Sequence, residues 1–169
     1  MGVEAQGLQV RRYHVVPRTL IFLTREEEEV LLLKGAPNKR LWAGLYNGVG
    51  GHVQPGEDVL RAAQRELLEE TGLEADLWLC GVVTIDVNPQ EGVVLFVFRG
   101  EPRTPHAPLR PSVEGSLAWV PLEQWQTLPL VEDLPLLLPR VLAARPGQPP
   151  FFAHYTYDDQ GKLLIAFSP

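Results

Sequence analysis

Residues 51–73 read GHVQPGEDVLRAAQRELLEETGL and carry five carboxylates, Glu57, Asp58, Glu66, Glu69 and Glu70. On a helix turning about 100° per residue, Glu69 and Glu70 fall within about 60° on either side of Glu66, so the three share one face. Like charges at these spacings destabilise an isolated helix by about a few tenths of a kcal/mol per pair, so the cluster calls for a compensating partner. A divalent cation is the strongest one. Two or three carboxylates, completed by waters and substrate phosphates, describe a magnesium site. Displacement at phosphorus needs such carboxylates to fix the cation, the cation to polarise phosphate oxygens, and a group to orient or deprotonate water. Crowded carboxylates hold protons when empty and recover their charge when the cation binds, which predicts an alkaline preference. Arg65 stands four residues before Glu69 and can hold that carboxylate. Ala63 is small and leaves room above the acids.

The elements that must position these groups follow from periodicity. The stretch 58–70 carries Leu60, Ala63 and Leu67 at helical spacing, with Asp58 at the start, where negative charge suits the helix dipole, and Gly72 where a left-handed cap would end it. Before it, YNGVGGHV supplies glycines that let backbone approach something closely. Strands are expected over 15–23, 30–33, 77–87, 92–99 and 117–120, with an acidic turn at 26–29 and a turn at Asn88-Pro89. Loops fill 34–45 and the proline-rich 101–111. A short helix is expected at 122–125, a longer one at 132–144 with Pro135 in its first turn, and a closing hairpin across 158–161. Residues 1–11 read as a loose lead-in. Strands around a central helix, with a late helix, predict an α+β sandwich with a mixed sheet.

With 169 residues and no long linker or repeat, the chain is about one domain's worth. A formal net charge of −6 argues against general nucleic-acid binding, but a bound metal can still invert the field locally for a small anion. The lone cysteine, Cys80, suits a reducing compartment and a core position. No apolar leader or membrane-length stretch is legible, so the expectation is cytoplasmic, with no membrane partner. His14, His52, His106 and His154 are too scattered for a zinc site. Phe152, Tyr155 and Tyr157 read as hairpin packing.

The acidic span resembles the Nudix box, G-x5-E-x7-R-E-U-x-E-E-x-G-U with U aliphatic. Every fixed position is filled, by Gly51, Glu57, Arg65, Glu66, Leu67, Glu69, Glu70, Gly72 and Leu73. Seven specified residues match by chance on the order of once in 10⁸ windows, so the signal is strong. The resemblance implies a Nudix fold, an α/β/α sandwich with a central mixed β-sheet, as a single domain over 1–169. It further implies hydrolysis of a nucleoside diphosphate linked to another group, with Mg²⁺ or Mn²⁺. Glu69 and Glu70 would then be metal ligands, Glu66 a ligand or the catalytic base, and Arg65 and Glu57 orienting residues. The carbonyl of Gly50 or Gly51 would complete the metal's shell, and Glu114 is the candidate carboxylate from outside the box.

Further, LWAGLYNGVGGHVQPGE is similar to the corresponding segment of MutT-like nucleoside triphosphatases, those acting on oxidised purines included. That similarity implies substrate contacts from Asn47, from Thr19 on the first strand, and from Glu132 and Asp133 at a purine edge. A carboxylate pair suits such an edge because protonating one member lets the pair both donate and accept. Leu41 stands where an aromatic would be, and Leu130 where a tryptophan would stack, so a looser base pocket is implied. The expected partner is a nucleotide, most simply a (deoxy)nucleoside triphosphate, bound by a monomer or homodimer. Pro89, about sixteen residues beyond the box, also fits ADP-ribose or nucleotide-sugar pyrophosphatases. A non-catalytic nucleotide-sensing module is the rival from another class.

Overall fold

A computed structural model describes residues 6, 7 and 12–169. The expected lead-in over 1–11 falls almost wholly outside them. The strands are β1 (His14–Arg25), β2 (Glu29–Gly35), β3 (Tyr46–Asn47), β4 (Ala75–Asn88), β5 (Glu91–Pro102), β6 (Gly115–Pro121), β7 (Phe151–Tyr157) and β8 (Leu163–Phe167). The helices are α1 (Val59–Thr71) and α2 (Leu134–Ala143).

β1 runs parallel to β5 from His14↔Glu91 to Leu23↔Gly100. β4 then pairs antiparallel with β5 and parallel with β7, and β8 closes the edge against β7. At its far end β1 turns to meet β2 antiparallel, at Thr24↔Val30 and Arg25↔Glu29. β2 carries β6 along its length and β3 at Leu33 and Lys34. The sheet is therefore mixed, as expected.

Strand alternation sends successive β1 side chains to opposite faces. Leu20 and Phe22 pack with Leu134, Leu137, Leu138 and Val141 of α2. Ile21 and Leu23 pack with Ala63 and Leu67 of α1. Each helix buries one apolar stripe against one face, which makes the α/β/α sandwich.

Local chemistry frames α1. Asp58 Oδ1 accepts the Leu60 and Arg61 backbone N–H groups, each at 2.9 Å. Gly72 ends the helix at φ 76°, with its N–H donating to the Leu68 carbonyl at 2.9 Å. The buried stripe is Ala62, Ala63, Leu67 and Thr71, whereas Leu60 is exposed, because burial of this face starts one turn in. Ala63 is wholly buried against the sheet, so its smallness serves helix packing rather than space above the acids.

The expected helix at 122–125 is instead a 3-10 turn, Trp125–Thr127. Pro121 and Pro129 bracket the segment and Leu128 is already extended, so no longer helix fits. α2 begins later than expected, leaving Glu132 and Asp133 ahead of it. At its far end the buried Arg99 of β5 donates to the carbonyls of Leu142 and Ala144 at 2.6 and 2.8 Å, meeting orphan acceptors at the negative end of the helix dipole.

Candidate active site

The glycine-rich segment before α1 is bonded to β1 as a surrogate strand. Thr19 N–H donates to the Gly51 carbonyl at 2.8 Å, and Ile21 and Val49 exchange bonds at 2.6 and 3.1 Å. A Cβ on Gly50 would lie 2.1 Å from the Thr19 carbonyl oxygen, and one on Gly51 would lie 2.4 Å from the Glu66 carboxylate. The two glycines are thus the price of close approach, one to the strand and one to the acidic helix.

Arg65 gathers the acids. Its Nε and Nη2 grip Glu57 bidentately at 3.0 and 2.7 Å, Nη1 donates to Glu66 at 2.8 Å and to Glu69 at 3.3 Å, and Nη2 also reaches the His52 carbonyl at 3.1 Å. The hydrogen bonds from Arg65 hold the Glu57 carboxyl below its usual pKa, with help from the Gln54 backbone. The same bonds, first to Glu57 and then to Glu66, raise the guanidinium further.

Glu70 behaves differently. Burial, reinforced by the charges of Glu66 and Glu114, pushes its pKa up to about 7, against the opposing pull of the Gly50 backbone and Lys39. Its Oε2 is buried with no hydrogen-bond partner. Glu114 is ion-paired with Lys39. Glu66, Glu70, Glu114, Lys39, Gly50 and Gly51 line one region of a cavity of about 820 Å³. Glu69 does not line it; its side chain is 60% exposed and turned to Arg65. The shared face expected for the three glutamates therefore splits, Glu66 and Glu70 facing the cavity and Glu69 its outer flank. Among the described residues, no three acidic, imidazole or thiol groups stand converged as a ready metal site.

Thr19, Leu41, Asn47, Glu132 and Asp133 line the same cavity. Asn47 Oδ1 accepts the Gly48 N–H at 2.8 Å, so a local turn role coexists with its place in the wall. Leu41 is 65% exposed, at the rim. Burial raises the Asp133 pKa, partly offset by its own backbone and by Tyr155, and in turn burial and Asp133 raise that of the Tyr155 phenol. Leu130 departs from expectation. It is not part of the wall but packs into the α2-side core, where its backbone bridges to Tyr46.

Sequence reasoning missed Arg18, Lys39, Trp42 and Tyr155, all of which line the cavity. His52, set aside above only as a zinc ligand, is exposed and also borders it. Arg18 was detectable in principle, since it stands in phase with the core residues Leu20 and Phe22 on β1. Trp42 holds φ 60°, unusual for a bulky residue, with no local signal for it in the sequence.

A NUDIX domain family model matches residues 14–141. The mouse oxidized purine nucleoside triphosphate hydrolase is 31% identical over 146 residues, covering 85% of this chain and 88% of that protein. A mouse asymmetrical bis(5'-nucleosyl)-tetraphosphatase is 37% identical over 75 residues, covering 44% of this chain and 46% of that one. The MutT protein of Bacillus halodurans shares the fold at a TM-score of 0.75 and 22% identity, over 92% of this chain and 99% of that one. With its box complete, the chain belongs to the Nudix family and is a MutT-like hydrolase.

Proposed function

We propose that this protein is a Mg²⁺- or Mn²⁺-dependent pyrophosphohydrolase that converts a nucleoside triphosphate, oxidised purine forms included, to monophosphate and pyrophosphate. One observation carries the reading: a single cavity joins the carboxylates Glu66, Glu70 and Glu114 to Asn47, Glu132 and Asp133. The residues fit a cation, because the buried Glu70 Oε2 has no partner from the protein, and burial together with the neighbouring Glu66 and Glu114 charges raises the carboxyl's pKa in the absence of a cation. Glu66 and Glu70 would hold the cation with Glu114 and a backbone carbonyl, and Glu69 would join them by leaving its 3.3 Å contact with Arg65. Gly50 suits that last role better than Gly51, whose carbonyl already accepts the Thr19 N–H. When bound, the cation supplies neutralisation of charge on the phosphate oxygens.

The protein's own groups supply the remainder. Arg65 keeps Glu66 and Glu57 oriented. Water attacks a bridging phosphorus, the bond to the bridging oxygen breaks, and the water's proton passes to a nearby carboxylate, Glu66 or Glu114, as pyrophosphate leaves. Asp133, its proton affinity raised by burial, can donate to a purine edge while Glu132 accepts. The name of the mouse relative supports the oxidised-purine arm of the reading.

The test is a Mg²⁺ and Mn²⁺ assay over ordinary and oxidised triphosphates, ADP-ribose and dinucleoside polyphosphates, with products identified and ranked by kcat/KM. Triphosphates should rank first, giving pyrophosphate. Release of inorganic phosphate instead, or preference for ADP-ribose, would overturn it. Glu69→Gln should lower kcat by roughly 10³-fold with the circular dichroism spectrum unchanged, and undiminished turnover would remove Glu69 from the mechanism.

A further inference from the structure

Among the described residues, two arginine or lysine side chains line the cavity, Lys39 and Arg18. Lys39 is paired with Glu114. Arg18 forms no ion pair among the described residues, and its Nε is buried without a hydrogen-bond partner. Arg18 as a whole is half-buried, so the unmet donor is this single Nε–H; a buried donor left unmet is costly, and native proteins meet such donors almost without exception. Its place is well defined. On β1 it is registered with Leu95 of β5 on one side and bridges His52 of the glycine-rich segment on the other. Its chain neighbour Thr19 bonds Gly51, the residue lying against Glu66. Arg18 thus stands in the wall that continues into Gly50, Gly51 and His52, beside the acidic region. The planar fork of a guanidinium matches the paired oxygens of a phosphoryl group, and it keeps its charge at any working pH.

We propose that Arg18 is a substrate-binding residue whose guanidinium donates to phosphoryl oxygens of the nucleotide's polyphosphate arm, the anion its unmatched cavity position is built to receive. The inference rests on the nucleotide reading above and adds to it the residue that grips the anion directly. It also accounts for Lys39, which Glu114 already occupies, leaving Arg18 as the unpaired arginine or lysine of the cavity among the described residues.

The test compares wild-type protein with Arg18→Gln and Arg18→Lys in the presence of Mg²⁺. Steady-state kinetics on a triphosphate are run beside calorimetric binding of its α,β-methylene analogue, of inorganic pyrophosphate and of the phosphate-free nucleoside. For Arg18→Gln, KM and both anion dissociation constants should rise ~10- to 100-fold, as for loss of hydrogen bonds to a charged group. kcat should stay within about threefold, nucleoside affinity should hold, and Arg18→Lys should recover part of the loss. The melting temperature should stay level or rise, because an unmet buried donor is removed. Unchanged anion affinity would overturn the proposal, as would a nucleoside affinity that falls as far as the analogue's, which would place Arg18 on the base or sugar. A lowered melting temperature with KM unchanged would make Arg18 structural and overturn it equally. Should wild-type protein turn over no nucleotide, the nucleotide reading falls, while the analogue and pyrophosphate titrations still decide Arg18.

Discussion

The 2.4 Å between the Glu66 carboxylate and a side chain built at Gly51 means that even one methyl group there must displace the acid. Gly51→Ala should therefore cost about 10²-fold in kcat/KM, in line with small misplacements of catalytic groups, while the far-ultraviolet spectrum stays native. Activity within a few-fold of wild type would show that Glu66 need not sit where it does. Glu70 offers a pH signature. Its folded pKa of about 7 lies above the ordinary value of 4.5, so the cation-free fold binds its proton more tightly than the unfolded chain does. The stability this contributes is complete below about pH 4.5 and is lost as pH rises through about 7. Cation binding must expel that proton. The rise in melting temperature caused by Mg²⁺ should accordingly grow as pH climbs across this window, and the trend should vanish in Glu70→Gln. A Mg²⁺ effect independent of pH would contradict it.

Helix α1 is secured by the Asp58 carboxylate, which accepts two backbone N–H groups. Asp58→Ala should cost about 1 kcal/mol in urea denaturation, and an unchanged midpoint would deny the cap its role. This helix was nearly all legible in the sequence, because caps and box residues act within a few positions of one another. Its bounds differ from expectation by a residue at each end, and the strands differ mainly by running longer. What escaped was set at long range. Leu60 has the spacing of a buried residue, yet in the first turn it is Val59 that packs on the sheet-side core while Leu60 stays exposed. Leu130 aligns with a stacking position, yet its backbone bridge to Tyr46 directs it into the core. Arg18 and Tyr155 reach one cavity through registers that link β1 to β5, β5 to β4 and β4 to β7, and no local pattern encodes those pairings. The candidate carboxylates Glu57, Glu66 and Glu69 share the Arg65 guanidinium, and the turning of Glu69 away from the cavity depends on how Arg65 divides its donors.

Across the whole molecule, β1 is shared by both layers of the sandwich, since Leu20 and Phe22 serve one core and Ile21 and Leu23 the other. Loss of packing on either side should therefore be felt on both. Leu137→Ala, at a fully buried site facing the α2-side core, should cost about 2–5 kcal/mol. The unfolding should remain one transition, coincident by circular dichroism and by tryptophan fluorescence, with Trp125 reporting from one layer and Trp119 from the other. Two separated transitions would disprove the coupling. The bonding of residues 49–53 to β1 carries a last consequence. This wall of the cavity is a fixed jaw, anchored to a central strand and unable to reshape itself around different guests. Accommodation falls to the span 36–45, whose lining residues Leu41 and Trp42 are exposed, so a change of diet within this scaffold would be written there first.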